Sequence, residues 1–126
     1  MAKVVEGLLY TKSHEWVKIE GEFAFIGLTE VGQHELGNIV YIDLPEVDED
    51  VSLGNEYGAV ESSKATSDLL SPVSGKVVEV NNSLSDTPDK LNHNPFDSWI
   101  IKVKLSDKSQ LDKLLDSKAY KELIEK

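Results

Sequence analysis

Glu61-Ser62-Ser63-Lys64-Ala65-Thr66-Ser67-Asp68 sets one lysine among small polar residues, with a carboxylate at either end. Runs suited to strands approach it from both sides. Glu56-Tyr57-Gly58-Ala59-Val60 precedes it, and Leu69-Leu70, the turn Ser71-Pro72-Val73-Ser74-Gly75 and Lys76-Val77-Val78-Glu79-Val80 follow. The pattern predicts a lysine displayed at the tip of a β-hairpin. Most exposed lysines only solvate a surface, but three features here suit modification. Ser62, Ser63, Ala65 and Thr66 are small and leave the amine accessible to an enzyme, the hairpin supplies a rigid base, and no arginine or bulky residue crowds the tip. These features fit a covalent carrier and leave its cargo open.

The rest of the chain extends the β pattern. His14 to Ile19 alternates, Glu20-Gly21 makes a turn, and Phe23 to Leu28 returns as the second arm of a hairpin. Thr29 is placed to cap a short helix through about Leu36, with Gly37 suited to the left-handed position that ends it. Asn38 to Leu44 is a further strand, stopped by Pro45, which cannot donate to a ladder. Glu46 to Asp50 is an acidic loop, and Ser83 to Ser98 is expected to be irregular. Trp99 to Leu105 closes the β region, with Ile101, Val103 and Leu105 on one face and Lys102 and Lys104 on the other. From about Ser106 the spacing turns helical: Leu111, Leu114 and Leu115 fit one face, and Ser117 is placed to cap a last helix through about Glu125. The expectation is a single mainly β domain over residues 1–126, with a short internal helix and a helical C-terminal tail from about residue 106.

Composition narrows the function. A chain of 126 residues buries roughly two thirds of its unfolded surface, enough for one modest core. Its 23 acidic residues outnumber 13 basic ones, for a formal charge of −10, and every basic residue is a lysine. Nucleic acid is therefore a poor partner, and basic partners or cationic groups are better ones. No cysteine is present, which removes disulfides, thiol nucleophiles and thiolate metal sites. No apolar run reaches membrane-spanning length, and the first residues lack the marks of a secretory or transit signal. A cytoplasmic monomer is expected, or a mitochondrial matrix protein if a presequence has been removed.

Few residues could carry catalysis. Ser13-His14-Glu15 has the residue types of a hydrolytic relay, but neighbours in a strand point to opposite faces. His34-Glu35 lacks a second histidine one turn away, and His93 has no ligand-like spacing, so no metal is expected. No glycine-rich phosphate loop occurs. Glu15 is the exception worth following. Strand parity puts it on the face of Val17 and Ile19, where a carboxylate costs desolvation unless a cation or a polar cleft receives it. From parity alone, an exposed strand end with a solvated Glu15 is the simpler expectation.

The lysine run resembles the lipoyl-attachment site of the glycine cleavage system H proteins. The resemblance continues in Tyr10-Thr11-Lys12-Ser13-His14-Glu15-Trp16-Val17, in Gly32-Gln33 with Leu36-Gly37, and in Val40 to Glu46. It resumes in Ser71 to Gly75 and in Asn94-Pro95 to Lys102, and so covers nearly the whole chain in the family's order. It implies a lipoyl/biotinyl-type barrel-sandwich hybrid of two antiparallel sheets with the lysine at a hairpin tip. It also implies that Lys64 carries lipoate in amide linkage and serves three enzymes. These are a pyridoxal-phosphate glycine decarboxylase, a tetrahydrofolate-dependent aminomethyltransferase and a dihydrolipoamide dehydrogenase, with a lipoate-attaching enzyme acting beforehand. The chain would be a carrier with no active site of its own. By the same analogy Ser13, Glu15 and Asp68 form a parking site for the aminomethyl-bearing end of the arm, which gives Glu15 a cation partner. Three positions depart from the family's habit: Ser98 stands where glycine is common, Gly32 where alanine is usual, and Ser63 where an apolar residue is more usual.

Other readings remain beside this one. A lipoyl carrier of another complex, or a relay that hands lipoate to other lipoate-dependent proteins, would use the same Lys64. The Ser13-His14-Glu15-Trp16 run and the helical tail argue against an acyltransferase lipoyl domain. Biotin fits less well, because Ser63 and Ala65 stand where methionines usually flank its lysine. An unmodified acidic interaction module is the reading from a different class.

Overall fold

The computed structural model describes residues 2–125 as two antiparallel sheets with short helices at their connections. The larger sheet has six strands, in the order β1 (Leu9–Tyr10), β2 (Glu15–Glu20), β3 (Phe23–Leu28), β9 (Ile101–Leu105), β8 (Gly75–Val80) and β5 (Asp50–Val51). The smaller has three: β4 (Ile39–Asp43), β6 (Glu56–Ser62) and β7 (Thr66–Leu70). This is the two-sheet, mainly β architecture that the alternating runs and the resemblance imply. Alternation explains the packing. Ile26, Val77, Ile101 and Val103 of the larger sheet join one apolar core with Ile42, Val60 and Leu69 of the smaller.

The β2–β3 hairpin pairs in one unbroken register from Glu15↔Leu28 to Glu20↔Phe23. The first half of β2 is buried on both faces, since Val17 and Trp16 point opposite ways and both are covered, while Lys18 and Glu20 are exposed. Trp16 belongs to a second cluster with Tyr10 and Tyr120, and its indole N–H donates to the Pro95 carbonyl at 3.0 Å. In β9, Ile101 and Val103 are buried, while the Lys102 ammonium lies 4.7 Å and 5.2 Å from the Phe23 and Phe25 ring centroids.

Several local expectations are corrected. Residues 83–98 are not wholly irregular: α2 (Ser83–Asp86) and α3 (Lys90–His93) are single turns that bury Leu84 and Leu91, anchors that the Asp- and Asn-rich sequence hides. The C-terminal tail begins as a 3₁₀ helix, Lys108–Lys113, before α4 (Ser117–Ile124). The cap of α4 is Asp116, whose carboxylate accepts the Ala119 N–H at 2.8 Å, not Ser117. Leu111 and Leu115 do not share a face either. Leu111 packs on the main core, whereas Leu115 joins the second cluster and pairs with Tyr10 through two backbone hydrogen bonds. The last strand starts at Ile101 instead of Trp99.

The internal helix α1 (Glu30–Leu36) begins and ends where the sequence marks it. Thr29 Oγ1 accepts the Gly32 N–H at 3.1 Å, and the Gly37 N–H donates to the Gln33 carbonyl at 3.0 Å. Gly37 has φ 86° and ψ −165°, which is the extended mirror region and not the left-handed helical one expected. Two of the three departures from family habit also find causes. A methyl on Gly32 would stand 2.6 Å from the His14 carbonyl oxygen, so the missing Cβ lets these backbones approach. Ser98 has no positive φ to accommodate, and its hydroxyl donates to the Lys90 carbonyl at 3.1 Å.

Candidate functional site

Lys64 sits at the exposed tip between β6 and β7. The turn is held by a side chain rather than by packing. Ser62 Oγ accepts the N–H groups of Lys64 at 3.1 Å and Ala65 at 3.2 Å, and donates to the Ala65 carbonyl at 3.1 Å. The Ser62 N–H donates to that same carbonyl at 2.9 Å. One further bond ties the tip to the body, from the Ser63 N–H to the Asn38 carbonyl at 3.0 Å. Small residues are what this turn needs, because a hydroxyl on a short stem reaches its own backbone.

Ser13, Glu15 and Asp68 line one cleft of about 290 Å³. The segment before β2 supplies Ser13, the first residue of β2 supplies Glu15, β7 supplies Asp68, Leu69 and Leu70, and Leu28 contributes from the end of β3. The third wall is α1, through Gly32, Glu35 and Leu36. β7 is an edge strand of the smaller sheet, so its side faces this helix and not another strand.

The simpler expectation for Glu15, a solvated strand end, is overturned. Glu15 is 6% exposed, and burial pushes its carboxyl above the usual carboxylate range. Hydrogen bonds from Thr11 and Ser13 and the nearby His14 oppose that rise without cancelling it. Thr11 Oγ1 and Ser13 Oγ each donate to the same oxygen, Oε1, at 2.8 Å, which leaves Oε2 for another donor. Thr11 also accepts the Glu15 N–H at 3.0 Å. Thr11 and Ser13 lie in the turn before β2, closed by the His14 N–H donating to the Thr11 carbonyl at 3.2 Å, and strand alternation in the sequence does not mark Thr11. Near the cleft Asp68 holds the exposed Glu56 carboxyl above its ordinary range, first through a hydrogen bond between them and then through repulsion. Beneath the sheet, the Tyr57 hydroxyl is buried without a hydrogen-bond partner among the described residues, and burial, then the Glu15 charge, raises its pKa.

The wall behind Ser13 is set from the C-terminal helix. Tyr120 is fully buried, its ring stacked on Tyr10 with centroids 4.5 Å apart. Its hydroxyl lies 2.7 Å from Thr29 Oγ1 and 2.9 Å from His14 Nδ1. His14 takes a positive φ of 71°, and its carbonyl accepts the Thr29 N–H at 3.1 Å. The imidazole is thereby turned to Tyr120, with Nε2 3.8 Å from Glu35, while Ser13 bonds Glu15. The two side chains diverge because His14 takes its positive φ in the turn before β2, not through the strand alternation expected, and Ser13 bonds Glu15 instead of the imidazole. Among the described residues no group of His, Asp or Glu side chains could hold a metal ion. None of the contributions of α1, Glu35 above all, was legible in the sequence, because they depend on how the helix packs beside β7.

Comparison with known proteins bears on the chain and its fold as a whole. The chain is 54% identical over 123 residues to the glycine cleavage system H protein of Thermoanaerobacter pseudethanolicus, covering 98% of each chain. It is 53% identical over 118 residues to that of Staphylococcus haemolyticus, covering 93% of this chain and 94% of the relative. The crystal structure of a glycine cleavage system H protein from Mycobacterium marinum superposes with a TM-score of 0.86 at 33% identity, over 98% of this chain and 100% of that one. The profile of the family described as "Glycine cleavage H-protein" matches residues 8–126, a span that holds the hairpin lysine, the cleft and the C-terminal helix behind it. With sequence and fold agreeing over nearly its whole length, the chain belongs to the glycine cleavage H-protein family.

Proposed function

We propose that this chain is a lipoyl carrier of glycine cleavage, with lipoate in amide linkage on Lys64 and with Ser13, Glu15 and Asp68 receiving the cationic end of the loaded arm. One observation carries the reading: an exposed, braced lysine shares the molecule with a cleft whose buried carboxylate keeps an unused oxygen. The residues fit such an arm. Leu28, Leu36, Leu69 and Leu70 offer apolar lining to its chain, and Glu15 Oε2 offers an acceptor to its ammonium. When attached, the dithiolane supplies the redox-active sulfur that takes up the one-carbon amine of glycine and passes it on.

The chain's own residues hold and protect. Ser62 fixes the tip from which the arm extends. Thr11 and Ser13 aim Glu15, and an ammonium beside it would offset the desolvation that disfavours its charge. Asp68 adds a second carboxylate, and the leucines exclude water that would otherwise attack the loaded arm. In this reading residues 1–126 act as one cytoplasmic, monomeric carrier domain and not as an enzyme. The partners are the glycine decarboxylase, the aminomethyltransferase, the dihydrolipoamide dehydrogenase and a lipoate-attaching enzyme, and a net charge of −10 favours basic docking faces on them.

The test is intact-mass and peptide analysis after incubation with lipoate and a competent ligase. One lipoyl adduct on the Lys64 peptide, missing in Lys64→Arg, is expected; an unmodified Lys64 under those conditions refutes the proposal. Glycine-dependent NADH formation with the three enzymes then separates a glycine cleavage carrier from a carrier of another system.

A further inference from the structure

We infer that Gly37 is the seat of the Lys64 arm, a positioning residue that is kept bare and held by Asn92 so that the arm leaves the hairpin along α1 toward the cleft. The inference rests on the carrier reading and adds the path between its two stations. A Cβ built on Gly37 would stand 3.2 Å from Lys64 Cε, 3.3 Å from Cδ and 3.4 Å from Cγ. Three successive carbons of the stem therefore lie along this glycine. Leu36, the preceding residue, is already in the wall of the cleft.

A glycine at a helix end is common and by itself says nothing of an arm. Here the neighbouring contacts single it out. Asn92 Nδ2 donates to the Gly37 carbonyl and to Gln33 Oε1, both at 2.9 Å, and Asn92 Oδ1 accepts the Ile39 N–H at 2.8 Å. Between those two bonded residues, the Asn38 carbonyl accepts the Ser63 N–H of the lysine tip. Gly37 to Ile39 is thus pinned from α3 on one side and joined to the lysine hairpin on the other. An added methyl would meet the flexible stem first, so the stem and not the backbone would give way. Its effect beyond backbone strain falls on the direction in which the arm leaves.

The test compares wild type, Gly37→Ala and Gly7→Ala, all lipoylated, reduced, and loaded chemically with formaldehyde and ammonia. Gly7 has a φ of 91°, close to the 86° of Gly37, and nothing within 4 Å of an added Cβ, so it controls for the strain of a side chain at positive φ without the contact. Gly37→Ala is expected to lose the one-carbon amine at least about threefold faster than wild type, because fewer molecules hold the arm in its protected pose. Gly7→Ala should match wild type. Equal rates for Gly37→Ala and wild type, or equal acceleration in both variants, would overturn the inference.

A second measurement needs no variant. Nuclear Overhauser contacts between the Gly37 α-protons and the Lys64 side-chain methylenes are expected in lipoylated wild-type protein, and their absence refutes the seat. Failure of the underlying reading looks different: wild type would stay unlipoylated, or would lose the amine as fast as free aminomethylated dihydrolipoamide. In either case the contact measurement, made on whichever form exists, decides the seat by itself.

Discussion

Tyr120→Phe deletes one hydroxyl and leaves the aromatic stack on Tyr10 in place. The oxygen it removes lies 2.7 Å from Thr29 Oγ1 and 2.9 Å from His14 Nδ1. Taking about 1 kcal/mol net for each hydrogen bond, with a partly buried imidazole nitrogen losing its partner, the expected loss is about 2 kcal/mol. At about 2.1 cal/mol/K of unfolding entropy per residue, a chain of this length loses about 4 °C in Tm per kcal/mol, hence about 8 °C. Scanning calorimetry and urea unfolding of Tyr120→Phe, Thr29→Val and the double variant measure this, with a coupling of about 1 kcal/mol expected between the two sites. Tyr120→Ala, which also empties the ring's volume, should cost about 3–5 kcal/mol. Attachment of lipoate to Lys64 should be unaffected in Tyr120→Phe, because the hydroxyl supports the cleft wall and not the tip. A Tm change below about 2 °C with no coupling would refute the claim that the C-terminal helix holds His14 and, through it, the cleft.

Glu15→Gln should be more stable than wild type near neutral pH, since burial raises the Glu15 pKa and the fold disfavours its charge. As pH rises the unfolded chain ionises first, so the wild type loses stability from the unfolded-state pKa up through the folded one; below about pH 4 the advantage of the variant should shrink. Urea midpoints at acid and neutral pH decide it, and a wild type that is the more stable at neutral pH contradicts the reasoning. Gly32→Ala should be destabilised by about 1 kcal/mol by urea unfolding, because overpacking against the His14 carbonyl 2.6 Å away outweighs the gain in helix propensity. A raised midpoint would count against that close approach. Ser62→Ala removes three hydrogen bonds from an exposed turn and should cost no more than about 1 kcal/mol. It should nevertheless speed amide exchange at Lys64 and Ala65 and slow lipoyl attachment; unchanged exchange would mean that the hydroxyl does not hold the tip.

Patterns of short range were legible in the residue order. The hairpin of β2 and β3, the cap at Thr29 and the stop at Gly37 each depend on side-chain period or on one residue's backbone, and each lies where its residues mark it. Harder to read were elements whose cause is distant. Residues 83–98 look like loop because Asp, Asn and Pro dominate them, yet Leu84 and Leu91 reach the core and draw two helical turns with them. Leu111 and Leu115 share a helical spacing, but the 3₁₀ helix ends at Lys113 and Leu115 pairs with Tyr10 in an extended bridge, so the two end in different clusters. Asp116 takes the cap because its carboxylate meets the Ala119 N–H, a matter of one residue that composition cannot resolve.

At the site the division follows the same line. Residue order alone determined that one lysine stands between small residues on a hairpin, since that needs only local turn chemistry and alternation, and it raised the question of Glu15 through parity. Only the tertiary structure decided that Glu15 is buried, that Asp68 comes from another sheet to line the same cleft, and that α1 closes the third side. Burial and cleft walls are set by segments far apart in the chain that meet only after two sheets have packed, so no window of sequence contains them.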